Sequence, residues 1–63
     1  MTVREFFKTR KKLDAPTRIY DKHKRMHFKC QNVWDYDILE KNVYTDFHGK
    51  KGYELVIDWI FNN

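Results

Sequence analysis

Apolar residues recur at helical spacing at the start of the chain and at alternate positions through most of the rest. Val3, Phe6, Phe7 and then Leu13 fall near one face of a helix, with Arg4, Lys8, Lys11 and Lys12 outside it. Thr2 and Glu5 stand at capping-box spacing: the Thr hydroxyl can accept from the amide of residue 5 while the Glu carboxylate reaches back to the amide of residue 2. Pro16 ends the pattern, because the residue before a proline is driven toward extended geometry.

From residue 17 the period changes to two. In 25–30, Met26, Phe28 and Cys30 alternate with Arg25, His27 and Lys29; in 17–21, Ile19 joins the apolar side with Arg18 and Tyr20 opposite. The spacing predicts two short strands joined by a polar turn at 22–24, which has no glycine to fix its geometry. Residues 31–42, QNVWDYDILEKN, predict a connection with a helical turn. Asn32 can cap it, Asp35 and Asp37 favour its N-terminal end, Trp34 and Ile38 lie one turn apart, and Asn42 can close it in the left-handed region. A closing hairpin follows, VYTDF and YELVIDWIF around HGKKG, whose two glycines permit the turn. On its last strand Tyr53, Leu55, Ile57, Trp59 and Phe61 form one apolar face, while Glu54, Val56, Asp58 and Ile60 form a half-apolar one. These elements predict a single domain over residues 1–63 of the α+β class. Its N-terminal helix packs on a small, mostly antiparallel sheet of about four strands, with a short helical turn between two hairpins.

Composition shows how so short a chain can hold such a fold together. At 63 residues it buries only about 60% of the surface its unfolded form exposes, and a single cysteine offers no disulfide. Aromatic residues compensate. They make up 17% of the chain and each can bury about 150–250 Å², so a globular fold is expected despite 35% charged residues. The longest apolar runs, 55–57 and 59–61, fall far short of the ~20 residues of a membrane span. No leader with a cleavage site is read in MTVREFFKTRKK, and a lone cysteine suits a reducing compartment. The expected location is the cytoplasm, away from membranes.

The net charge of +4 hides an asymmetry. Residues 1–30 carry ten Lys or Arg against three acids, a balance of +7, and residues 31–63 carry three against six, a balance of −3. Such a chain can attract an acidic partner with its first half, neutralise itself on folding, or stack on a copy. The densest stretch is 18–30, RIYDKHKRMHFKC. Lys22, Lys24, Arg25 and Lys29, with Tyr20 and His27 interleaved, can meet phosphates while the rings stack on bases. The helix end at 10–12 extends the strip. A charged face that keeps a small sheet soluble is the plainer account.

The same stretch holds residue types that zinc favours, His23, His27 and Cys30, with His48 as a fourth. In a strand, however, His27 and Cys30 point to opposite sides, so no metal or other cofactor is expected. Catalysis has little to work with. The chain has no serine, Cys30 lies on the apolar side, and Asp35, Asp37 and Glu40 sit where a short helix would want acidic capping. There is no glycine-rich phosphate loop, and no catalytic residue is assigned. Protein recognition draws on another feature. Val56 and Ile60 leave an apolar strip on the second face of the last strand, and one helix covers only one sheet face. Such a strip fits a partner surface or a homodimer, which Val56→Glu would dissociate. Trp34, Tyr36, Tyr44 and Trp59 are candidate anchors; Tyr36, between Asp35 and Asp37, is expected to be exposed and both Trp to be core.

Four stretches, MTVREFF, IYD, WDYDILEKNV and YELVIDW, resemble small accessory proteins encoded by phages and prophages of Gram-positive bacteria. The resemblance implies a compact α/β protein, some of whose kind act by docking on a host enzyme, as anti-CRISPR inhibitors of nucleases do. The positive net charge sets this chain apart from strongly acidic, DNA-mimicking inhibitors. A basic first half suits guide RNA, target DNA or an acidic protein patch instead. The sequence thus predicts a non-enzymatic binding protein that docks on a host protein or nucleoprotein complex, with a CRISPR or other defence nuclease among the targets. Its contacts are Tyr20, Lys22, Lys24, Arg25 and Lys29 on one edge and Tyr36 at an acidic edge. Direct nucleic-acid binding by the 18–30 hairpin is the alternative.

Overall fold

The structure, a computed structural model, describes residues 1–59. The capping box forms as its spacing demands: Thr2 Oγ1 accepts from the Glu5 amide at 3.2 Å, and Glu5 Oε1 accepts from the Thr2 amide at 2.9 Å. Helix α1 spans Val3–Thr9 and buries Val3 and Phe6. It stops short of the lysine run, since Arg10 is already extended at φ −68, ψ 149.

Four strands follow: β1 (Arg18–Tyr20), β2 (His27–Phe28), β3 (Ile38–Thr45) and β4 (Lys51–Ile57), with a 3-10 turn at Cys30–Asn32 before β3. They form one sheet in the order β2-β1-β4-β3. β1 pairs antiparallel with β2, placing Ile19 opposite Phe28 and Tyr20 opposite His27. It also lies parallel to β4, with Arg18, Ile19 and Tyr20 against Glu54, Leu55 and Val56, and β4 pairs antiparallel with β3. The expected α+β architecture of one helix and a four-stranded, mostly antiparallel sheet is thus present, and its single parallel pairing makes the sheet mixed.

One face of the sheet is the core. Val3 and Phe6 of α1 meet Ile19, Val33, Leu55 and Ile57, with Phe7, Phe28, Trp34, Tyr53 and Trp59 packed around them. The rings meet edge to face: Phe6 on Tyr53 at 5.0 Å, Phe7 on Trp34 at 5.4 Å and Phe28 on Trp59 at 5.0 Å between centroids. Each fully buried aliphatic such as Ile19 or Leu55 contributes about 1.5–3 kcal/mol. No described helix is long and apolar enough to cross a membrane.

Several local expectations are corrected. The strand expected over 25–30 is reduced to His27–Phe28, because the carboxylate of Asp21 captures the amides of Arg25 and Met26 and holds them in the turn. Phe28 and Cys30 still pack against the core, but Met26 is exposed. The helical turn of 31–42 is confined to Cys30–Asn32 and lacks a side-chain cap. Asn42 is a strand residue opposite Glu54. A short isolated helix is marginal, whereas pairing with β4 satisfies the backbone along this stretch, and an irregularity between Ile38 and Glu40 takes up Leu39.

The last hairpin turns at 46–50, so Phe47 leaves the strand, while Gly52 enters β4 opposite Tyr44. Val56 is buried, at 2% exposure. It lies between Tyr20 and Glu40 in the register, and the strip invoked for a homodimer loses that residue. The last strand ends at Ile57, short of the Asp58 and Trp59 expected on it, and Ile60 and Phe61 lie outside the described residues.

Candidate functional site

The β1–β2 turn is organised by one buried carboxylate. Asp21 is fully buried. Its Oδ1 accepts from the amides of Arg25 and Met26, and its Oδ2 from that of His23 at 3.4 Å. Its backbone completes the ring, accepting from the Lys24 amide at 2.9 Å and donating to the Met26 carbonyl at 3.2 Å. Burial pushes the Asp21 carboxyl up, but the amides of Met26, Arg25 and His23 together outweigh burial and hold it below its ordinary value of 3.8. This ring does what a glycine turn would do. It supports Lys24 in the left-handed region at φ 58, where a non-glycine residue needs local hydrogen bonds to persist.

The consequence is a fixed loop from which Lys22, His23, Lys24 and Arg25 all project as exposed residues. Lys24 folds back so that its Nζ lies 3.2 Å from Glu54 Oε1 on β4. Lys22, Arg25 and Lys29 form no ion pair among the described residues, where the only pairs are Lys24–Glu54 and Arg4–Asp35. Beside the turn, on the sheet face away from α1, Tyr20 and His27 are register partners with centroids 5.4 Å apart and planes tilted by 46°. Tyr20 is half-buried and His27 exposed. The same face carries Arg18, whose guanidinium sits 4.0 Å from the Tyr44 ring centre, and the Tyr44 hydroxyl donates to the Pro16 carbonyl.

Lys29 points elsewhere. It lines a groove of about 490 Å³ between residues 10–17 and the β2 edge, together with Arg10, Lys12, Phe7 and Phe28. Arg10 lies 4.7 Å from the Phe7 ring centre, and its buried Nε has no hydrogen-bond partner. The groove thus extends the cations of the turn along the outer edge of the sheet. Tyr36 stands apart from this strip. It is exposed, its carbonyl accepts from the Val3 amide, and it lies on the far side of the β4 terminus. There Asp58 bonds to Asp37, and Trp59 to Lys22.

Of the sequence-assigned residues, Lys22, Lys24 and Arg25 therefore share the β1–β2 turn with Tyr20 beside it on β1, Lys29 lies beyond β2 in the groove, and Tyr36 stands apart. Among the described residues no three His, Cys, Asp or Glu side chains are grouped so as to hold a metal ion. Cys30 Sγ lies near Gln31 Oε1 at 4.0 Å and packs toward the core, while His27 is on the open face. Sequence reasoning overlooked Asp21 and Phe47. Asp before a polar loop is an Asx-turn signal, and Asp46 with Gly49 three residues on is the pattern of a type I turn with Phe47 at its second position. Comparison of the chain with protein-family models, with curated proteins and with solved structures returns no match.

Proposed function

We propose that this chain is a non-enzymatic binding protein that grips nucleic acid, free or within a host nucleoprotein complex, with its basic β1–β2 hairpin. One observation carries this: Lys22, Arg25 and Lys29 are exposed and free of ion pairs among the described residues, and Lys22 and Arg25 stand on a loop that Asp21 immobilises. A cation held in place by its loop loses less freedom on meeting a phosphate than one on a floppy loop, and Tyr20 with His27 supplies rings within reach of bases. The resemblance to phage- and prophage-encoded accessory proteins supports a setting in the host cytoplasm. A CRISPR or other defence nuclease is then a target, approached through its guide RNA or its target DNA. Tyr36, outside the basic strip, suits the protein part of such a complex.

The test is binding of labelled single-stranded and duplex DNA and RNA at about 50 mM salt, with Lys22, Arg25 and Lys29 replaced together by Glu in a control variant. Wild-type binding that the triple replacement abolishes supports the proposal. Absence of binding to every one of these nucleic acids at that salt refutes it. Capture from a host lysate, with and without nuclease treatment, then identifies the complex.

A further inference from the structure

The β3–β4 turn displays a large apolar side chain that the fold does not use. Phe47 is 98% exposed, and its one ring contact among the described residues is the edge of His48 at 5.5 Å and 87°. Everything beneath it is fixed. The Gly49 amide donates to the Asp46 carbonyl at 3.0 Å, and the Asp46 amide to the Lys50 carbonyl at 2.8 Å. Asp46 Oδ1 accepts from the amides of His48 at 2.9 Å and Lys50 at 2.8 Å. Gly49 provides the positive φ of 79 that closes the loop. The turn is therefore a rigid mount, and what it mounts is a bare ring.

Cations outnumber acids beside the mount. Lys12, Lys50 and Lys51 line a shallow hollow there with the single acid Asp14, and Lys12 also lines the groove that holds Lys29. Because β1 and β4 run parallel, this turn lies at the opposite end of the sheet from residues 22–25. The line of cations thus continues, through Lys29 and Lys12, to Lys50 and Lys51 at the turn that carries Phe47.

We propose that Phe47 is a stacking platform for an unpaired base of single-stranded nucleic acid, whose phosphates are met by Lys12, Lys50 and Lys51. This rests on the nucleic-acid reading above and extends it to a second end of the molecule. The neighbours of Phe47 decide between occupants. Asp46, His48, Gly49 and Lys50 are polar or small. A protein hot spot needs a surround of contacts that exclude water, and an interfacial membrane anchor needs several apolar side chains on one face. Base stacking needs only a free ring face and a positively charged surface beside it.

The test compares wild type with Phe47→Ala, Phe47→Leu and Phe47→Trp, by fluorescence anisotropy of a labelled single-stranded deoxythymidine oligomer and by sedimentation with phosphatidylserine vesicles. Because Phe47 packs on nothing in the core, all variants should melt as wild type does. Ala and Leu should weaken oligomer binding by about 5- to 150-fold, while Trp should retain it with its emission quenched. Leu binding as well as Phe overturns stacking, because apolar bulk then suffices. Vesicle binding that depends on Phe47 while oligomer binding does not also overturns it. Oligomer binding that survives Phe47→Ala but is lost in the Lys22, Arg25 and Lys29 triple variant refutes this inference alone. No wild-type binding to any nucleic acid refutes the hairpin reading and this one with it.

Discussion

Lys24 is the hairpin cation that the fold already uses, so removing its partner should return it to service as a phosphate contact. Its ammonium lies 3.2 Å from the Glu54 carboxylate, whereas Lys22, Arg25 and Lys29 have no ion-pair partner among the described residues. Three free hairpin cations that each displace a counterion from single-stranded DNA, at about 0.7 per contact, contribute about −2 to the slope of log affinity against log salt. Raising the salt from about 50 to about 200 mM then weakens their share of the binding about 20-fold. Glu54→Gln frees Lys24 as a further contact; the slope should steepen by about 0.7 and the loss grow by a further factor of about 2.6.

Lys24→Gln should leave the wild-type slope almost unchanged, yet in the Glu54→Gln background it should restore the wild-type slope. Anisotropy titrations of one labelled oligomer across a salt series read all four proteins of this cycle. The pair is only half-exposed, 52% at Lys24 and 21% at Glu54, and contributes about 1 kcal/mol; thermal melts of all four proteins identify the temperature at which each is folded, and the titrations are run below it. A slope near zero in wild type would refute the hairpin as a phosphate-binding surface. A slope for Lys24→Gln alone that is shallower than wild type by about 0.7, the share of one phosphate, would refute the sequestration of Lys24 by Glu54.

Gly52→Ala should lower the urea midpoint by the equivalent of about 1–3 kcal/mol, followed by tryptophan fluorescence. A Cβ there would meet the Pro16 carbonyl oxygen and the Tyr44 ring at 2.8 Å, and an unchanged midpoint would contradict that packing. Asp21→Asn should reduce stability at neutral pH and flatten its fall in acid, as read by thermal melts across pH. The Asp21 carboxyl is depressed in the fold, so its contribution is complete above its ordinary value of 3.8 and is lost as pH falls through the lower folded value. Val56→Glu should unfold the domain instead of splitting a dimer, because Val56 is 2% exposed and a buried, unpaired carboxylate is strongly unfavourable. Circular dichroism together with size-exclusion chromatography separates the two outcomes, and a folded monomer would refute the burial.

The parts of this structure that depend on neighbours in sequence were legible. The capping box, the two hairpins and the apolar faces of Phe28 and Leu55 follow from spacing alone. What escaped depended on distant partners or on a side chain replacing backbone. Residues 38–42 have a helical look in isolation, but β4 offers them a ladder from Ile38 to Thr45, and that long-range pairing prevails. The parallel insertion of β4 beside β1 has no local signature. The turn at 22–25 has no glycine to specify it from within, yet Asp21 specifies it from outside. At the site, the exposure of Lys22, Arg25 and Lys29 was readable from polarity, whereas the alternation that placed Met26 inward fails in the Asp21 turn. The capture of Lys24 by Glu54, thirty residues away in sequence, was not.

The charge asymmetry of the sequence left three outcomes open, and the topology narrows them. Of the ten cations in residues 1–30, Arg4 and Lys24 are ion-paired, and Arg10 and Arg18 lie over aromatic rings. Lys8, Lys11, Lys12, Lys22, Arg25 and Lys29 remain unpaired among the described residues. Self-neutralisation is partial: Asp35 pairs with Arg4 and Glu54 with Lys24, while β1 and β4 stand between β2 and β3 and hold Glu40 on the opposite side of the sheet. Asp46 is engaged in its own turn. Stacking on a copy would offer the basic edge scattered acids, Asp14, Asp35, Asp37, Glu40 and Asp58, of which Asp35 already holds Arg4. A nucleic-acid strand presents a charge about every 3.4 Å and can engage the whole edge at once, so it matches the pattern of free cations better than either alternative.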